Sequence, residues 1–190
     1  FLHRGKVKLA YLDESGKRLA ITICRVGEPF GEMVLTGEER RRLIAEALSD
    51  VELCMISKQD LLRFAQRYPQ VSLKITKMVG DRLSEIENKL EDLIFRDVPT
   101  RLARLLVKLA REYGVQTQNG TQIDLRLTHR DLAELIGSTR ETTTATLSHF
   151  KAEGLLDKRL GLFIVKDMKQ LQGLNTLAVY KLPSFQVRKL

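Results

Sequence analysis

The 190-residue chain is poor in cysteine, with only Cys24 and Cys54. Two cysteines without a paired motif build no disulfide framework and suit a reducing compartment, so a cytoplasmic location is expected. No run approaches the roughly eighteen apolar residues of a membrane-spanning helix. Phe1-Leu2-His3-Arg4-Gly5 does not have the charged-then-apolar layout of a signal peptide. Neither the cysteines nor the three histidines stand at metal-ligand spacing. A Gly-rich phosphate loop and a Ser or Cys nucleophile motif are also missing. Metal binding, catalysis and membrane insertion are therefore not expected. His3 and His149 read as surface residues, and Cys54 as a small buried hydrophobe in a strand.

What is present is 43% hydrophobic and 29% charged sequence, enough apolar material for a core. The charge is unevenly placed. Residues 1–97 carry 17 Lys/Arg against 16 Asp/Glu, whereas residues 98–190 carry 15 against 8. A basic half joined to a near-neutral one points to a polyanionic partner, with ordinary solubilising lysines as the plain alternative.

Residues 1 to about 56 read as short strands. Lys6 to Leu12 alternates in period two, Asp13-Glu14-Ser15-Gly16-Lys17 makes a turn, and Leu19 to Cys24 returns as the partner strand. Ala45 to Ile56 holds one or two more. Because the chain opens directly in strand-like sequence, a further piece of the sheet is expected to precede residue 1. Helices follow. Lys58 to Arg67 is stopped by Tyr68-Pro69, and a long helix runs from about Val71 to Phe95. Its residues Val79, Leu83, Ile86, Leu90 and Leu93 recur at spacings of 4, 3, 4 and 3, an a/d seam suited to pairing with a second copy. The alternative is a helix lying on its own domain's core. Asp97-Val98-Pro99 breaks it and opens a helix that ends at Gly114. The expected division is a β-domain over 1–68, a dimerisation helix over 69–97 and a basic domain over 98–190, coupled without a flexible linker.

Two helical patterns then flank a tight turn at Gly137-Ser138. Thr128-x-x-Asp131 resembles a capping box and Ser138-x-x-Glu141 is expected to form another. Leu132, Ala133, Leu135 and Ile136 give the first helix its apolar face, and the Gly-containing turn suits a helix-turn-helix. The second helix opens Thr139-Arg140-Glu141-Thr142-Thr143-Thr144-Ala145-Thr146, a costly interior because β-branched residues lose rotamer freedom there. The choice makes sense for a face lying against phosphates and base edges.

The run Leu127-Thr128-His129-Arg130-Asp131-Leu132-Ala133-Glu134-Leu135-Ile136-Gly137-Ser138-Thr139-Arg140-Glu141-Thr142 resembles the helix-turn-helix of the cyclic-AMP receptor protein/FNR family of bacterial transcription regulators. Lys151 to Leu156 and Lys158 to Val165 are similar to its wing, Phe30-Gly31-Glu32-Met33 with Arg41 to its phosphate-binding cassette, and residues 71–97 to its dimerisation helix. The resemblance implies an α+β fold: an N-terminal β-roll of the cyclic-nucleotide-binding type, a long dimerisation helix and a C-terminal winged helix-turn-helix. It implies a homodimer on double-stranded DNA, with RNA polymerase as a further partner. Arg140 would read a guanine and Glu141 accept from a cytosine amino group, in keeping with their hydrogen-bonding geometry. Glu141 could instead only close the capping box. Thr128, His129, Arg130, Ser138, Thr139, Thr143 and Thr144 are the accompanying DNA-contact candidates. Many members carry a second base-reading Arg where this chain has Ala145, so a loosely read TGTGA-like half-site is expected.

The resemblance also frames an effector site of Gly31, Glu32, Met33, Arg41, Arg42, Arg82 and Glu87. Glu32 and Arg41 match members that bind cyclic AMP, but Arg42, Leu43, Ile86 and Glu87 disfavour a cyclic nucleotide. Arg41, Arg82 and Glu87 are similar to the nitrogen-regulator branch, which responds to 2-oxoglutarate, and paired arginines suit a dicarboxylate. Glu32 departs from that pattern. The remaining alternative is that these arginines pair with neighbouring glutamates and no effector binds. Two cysteines cannot hold the four-thiolate cluster of the oxygen-sensing branch. The rival function is a cyclic-nucleotide-type sensor that regulates a protein partner without touching DNA. The tail from Met168 to Leu190 reads as helical and then basic.

Overall fold

The computed structural model describes residues 1–33 and 42–174. Five strands come first: β1 (Leu2–Arg4), β2 (Val7–Leu12), β3 (Arg18–Cys24), β4 (Leu43–Ala47) and β5 (Glu52–Leu53). They pair antiparallel in two sheets, β3-β2-β4 and β1-β5. The β2–β3 turn is built by Asp13, whose carboxylate accepts the Lys17 N–H and the Ser15 hydroxyl, each at 2.8 Å. These bonds hold the Asp13 carboxyl below its usual range.

The alternation in β2 predicts one buried face, yet Val7, Lys8, Leu9 and Ala10 are all buried. Val7 and Leu9 join Leu2 and Cys24 in a small core inside the β-domain. Ala10 belongs instead, with Ala20 and Ile23, to a larger core shared with the C-terminal helices. The second face of β2 is covered by another part of the chain. Cys54, expected to be buried, is exposed because β5 is only a two-residue edge strand; Cys24 is the buried thiol. Burial pushes the Cys24 thiol up to about 11, so it is inert at neutral pH.

Helix α1 (Lys58–Arg67) ends where expected, and α2 (Pro69–Phe95) starts at the proline itself, two residues ahead of the sequence-based start. No side chain of the 27-residue α2 is fully buried. At 1.5 Å per residue it is about 40 Å long, too long an amphipathic element to remain uncovered. Asp97 caps the next helix, α3 (Val98–Tyr113), by accepting the Thr100 N–H at 2.9 Å.

After α3 the chain forms a hairpin, β6 (Gly114–Thr117) and β7 (Gly120–Ile123), that the sequence reading missed. Its strands are short and polar, with too few apolar residues to show a period. Then come α4 (His129–Ile136), α5 (Arg140–Ala152), β8 (Leu156–Arg159), β9 (Leu162–Val165) and α6 (Met168–Gly173). The hairpin joins the wing in one antiparallel sheet ordered β6-β7-β9-β8. Of the tail, residues 175–190 lie outside the described residues. No described helix is long and apolar enough to cross a membrane.

Candidate nucleic-acid interface

Helix α4 is defined by its ends. Thr128 accepts the Asp131 N–H at 3.1 Å, and Asp131 returns the bond by accepting the Thr128 N–H at 2.9 Å. This is the expected capping box. At the other end Gly137 takes a left-handed φ of +63°. The left-handed backbone favours glycine, and a Cβ there would stand 2.6 Å from Leu93 Cδ2, so that side chain would have to shift.

The cap of α5 differs from the expectation. Thr139, not Ser138, occupies the N-cap and accepts the Thr142 N–H at 3.1 Å. Glu141 is therefore not used in a capping box and lies exposed in the first turn beside exposed Arg140. An acid in the first turn also complements the helix dipole.

The hydroxyl run divides by direction. Thr143 is fully buried and donates to Thr139 O at 2.8 Å; Thr146 donates to Thr142 O at 2.9 Å, and Ser148 to Thr144 O at 3.0 Å. Such back-bonding occupies hydroxyls that solvent or phosphate would otherwise meet. Thr143, expected as a DNA contact, is thus a core residue packed inside the domain. Thr144 is half-buried, with its hydroxyl 3.0 Å from His129 Nδ1. Among the outward positions of the unit are Thr128, Arg130, Thr139, Arg140, Glu141, Thr142 and Ala145, with Ser138 half-exposed. Arg130 Nε lies 3.6 Å from Glu134 Oε1.

His129 ties this face to the wing. Its ring centroid is 6.1 Å from that of Phe163 on β9, and Lys158 Nζ sits 4.4 Å from the Phe163 centroid. Burial, then the nearby charges of Lys158 and Arg140, lower the His129 pKa and favour the neutral imidazole. On the other side of the wing Asp157 lies within 3.6–3.9 Å of Lys151, Arg159 and Lys166. Arg140 on α5 and Lys151, Lys158, Arg159 and Lys166 in and around the β8–β9 hairpin are the cations of this part of the unit.

The effector-type residues are only partly brought together. Arg82 on α2 pairs with Glu32 and donates to Pro29 O at 3.2 Å. The second Glu32 oxygen is buried without a hydrogen-bond partner among the described residues. A cavity of about 230 Å³ lined by Phe30, Gly31, Glu32 and Met78 adjoins this pair. Met33 and Arg42 are exposed, and Arg41 lies outside the described residues. Glu87 is exposed. Five residues along a helix put it about 140° round the axis from Arg82, so one chain does not aim both into one cavity.

Of the seam, Val79, Leu83, Ile86 and Leu90 are 39–56% exposed and form one uncovered stripe. Leu93 departs from it, being half-buried against the Gly137 turn.

Sequence and structure comparisons agree with this arrangement. The sequence model of the cyclic nucleotide-binding domain matches residues 1–68, and that of the Crp-like helix-turn-helix domain matches residues 100–174. The global nitrogen regulator of Synechocystis sp. is 33% identical over 158 residues, covering 82% of this chain and 70% of that protein. The chain belongs to the CRP/FNR family. The CRP-like cAMP-activated global transcriptional regulator of Mycobacterium tuberculosis is 28% identical over 88% of this chain and 75% of its own length. A solved CRP/FNR-family transcriptional regulator from Thermus thermophilus superposes with a TM-score of 0.78 at 28% identity, over 93% of this chain and 87% of that one. This CRP/FNR-family protein is accordingly a DNA-binding transcription regulator, and α4–α5 with the wing is its DNA-binding unit.

The comparisons do not single out residues. One group was missed by sequence reading altogether: Lys8 of β2 meets Asp131 and Glu134 of α4. A lysine in an alternating strand carries no signal of a partner more than a hundred residues away.

Proposed function

We propose that the chain acts as a homodimer that places α5 of each protomer in successive major grooves of a palindromic operator. The observation that carries this reading is the pair Arg140 and Glu141, exposed side by side at the start of a helix whose opposite face is buried. Arg140 forks onto O6 and N7 of guanine and Glu141 accepts from cytosine N4, giving a TGTGA-like half-site. Thr128, His129, Arg130, Ser138, Thr139 and Thr144 supply or support phosphate contacts. Ala145 makes none, so the inner half-site is read loosely. The uncovered stripe of Val79, Leu83, Ile86 and Leu90 pairs with its copy and sets the two α5 helices about 34 Å apart.

The domain limits that go with this reading are 1–68, 69–97 and 98–190. The protein works in the cytoplasm, engages RNA polymerase as a partner and has no catalytic role. A small anionic effector at the β-domain end of α2 shifts the population between two dimer arrangements. A small acid of the 2-oxoglutarate kind is favoured over cyclic AMP because a free Arg82 would hold a carboxylate, and such an acid must first displace Glu32 from Arg82.

Selection of a randomised duplex pool, with and without 2-oxoglutarate or cyclic AMP, tests the reading. A selected palindrome supports it, and dependence on one ligand identifies the effector. A palindrome bound equally in all conditions removes the effector. Absence of any selected sequence would replace the reading with that of a sensor acting on a protein partner.

A further inference from the structure

Lys8 is 1% exposed, and its ammonium touches three carboxylates: Asp131 at 2.5 Å, Glu134 at 2.7 Å and Glu46 at 3.2 Å. Lys8 and Glu46 lie on paired strands of the β-domain, where they are register partners. Asp131 and Glu134 lie one turn apart on α4, the first helix of the DNA-binding unit. Burial alone would push the ammonium pKa down, but the hydrogen bonds it donates to Asp131 and Glu134, with their negative charges, outweigh it and hold the lysine charged. Asp131 is also the residue that closes the capping box with Thr128, so the same carboxylate fixes the start of α4 and docks it.

A second cation holds the opposite end of that helix. Lys89 of α2 donates to the Leu135 carbonyl at 2.7 Å and also to the Ala20 carbonyl of β3. Helix α4 is therefore gripped at its acidic first turn by the β-sheet and at its last turn by the dimerisation helix. Neither grip covers the outward face of α5, where Arg140 and Glu141 stay exposed. The grip fixes the direction in which that face points relative to α2 and leaves it open to DNA.

We propose that Lys8 is a positioning residue for DNA recognition: its buried cluster with Asp131 and Glu134 sets the orientation of the helix-turn-helix on the β-domain. Moving either partner away would leave an uncompensated buried charge, so the cluster penalises any displacement of α4 on the sheet. The consequence falls on operator binding, because two half-sites are engaged together only if both α5 helices keep their spacing and direction. Contacts to single, unrelated stretches of phosphate do not need that alignment. The inference rests on the DNA-binding reading above, though the geometry it concerns can be measured without DNA.

The test uses the full chain with Cys54→Ser, spin labels at exposed Glu14→Cys and Lys169→Cys, and dilution with unlabelled chain so that distances within one protomer are read. Lys8→Glu and Glu134→Lys each break the pair, while the double variant restores it with opposite polarity and the same net charge. Lys8→Gln, which keeps amide donors toward the carboxylates, is the milder form should the charge reversals not fold. Expected are a broadened label distance and a loss of tenfold or more in operator affinity for the single variants, with non-specific duplex affinity within about twofold. The double variant should recover a narrow distance and most of the operator affinity. Unchanged distances in the folded single variants would overturn the proposal, as would a double variant no better than either single. If the parent chain selects no operator, the DNA-binding reading fails, and the distances alone then decide whether the clamp exists.

Discussion

The ammonium of Lys89 lies 2.7 Å from the carbonyl oxygen of Leu135, at the last turn of α4. Helix ends leave their final carbonyls without intrahelical partners, and a cation placed there also meets the negative end of the helix dipole. This contact joins α2 to the DNA-binding unit at a partly buried point.

Lys89 makes stability depend on pH. Burial is the main cause lowering its pKa from 10.5 to about 8, with the nearby Lys108 charge adding to it. Between these two values the unfolded chain binds a proton that the folded chain does not, so stability rises as pH rises through this window. The contribution amounts to about 2 kcal/mol between pH 7 and 9.5. The rise should be present in urea unfolding of the parent protein relative to Lys89→Met, with the gap between them shifting in favour of the parent at higher pH. A constant gap would place Lys89 in water.

Gly137→Ala should destabilise the DNA-binding unit by about 1–3 kcal/mol, through the left-handed backbone and the clash with Leu93. Adding Leu93→Ala should return only part of the loss, because the backbone strain remains. Thermal unfolding of the single and double variants measures the two contributions separately. Full recovery would mean that the backbone itself tolerates a Cβ.

Arg140→Ala should weaken operator binding by about 1–3 kcal/mol and relax selection at one guanine, leaving non-specific affinity nearly unchanged. Glu141→Gln should relax the facing cytosine position in the same manner. Competition titrations against operators altered at single positions report both. Equal loss on all sequences would reassign Arg140 to a phosphate.

If α2 pairs as proposed, Leu83→Asp with Leu90→Asp should leave a monomer, because two charges would replace the centre of the exposed stripe on α2. Sedimentation equilibrium reads the mass directly. Palindrome affinity should fall by two orders of magnitude or more as the two half-sites become separate binding events. A variant that stays dimeric places the interface elsewhere.

Much of the architecture was legible because it depends on local rules. Tyr68-Pro69 marks the end of α1, Pro99 marks a helix start, Gly137 marks the turn, and the Thr128/Asp131 box marks the first turn of α4. The Lys58–Arg67 helix matches its expected bounds residue for residue. The β6–β7 hairpin was not legible, since its polar strands are held by pairing with β9 rather than by any period of their own. The cap of α5 was misjudged by one position, because Ser138 and Thr139 are equally good N-cap residues and only the turn geometry chooses between them. The threonine run of α5 suggested a hydroxyl-rich DNA face, but helix geometry returns Thr143, Thr146 and Ser148 to carbonyls four residues earlier.

The sequence alone determined the family, the order of the elements apart from the β6–β7 hairpin, the basic C-terminal half and the Arg140–Glu141 pair, because each is written in short-range pattern or in charge. Tertiary structure alone decided where Lys8, Glu32 and Lys89 find their partners, in Asp131 with Glu134, in Arg82 and in Leu135. The physical reason is separation along the chain: the energy of a buried charge depends on what lies within a few ångströms in space, and no local period records a neighbour brought there by folding.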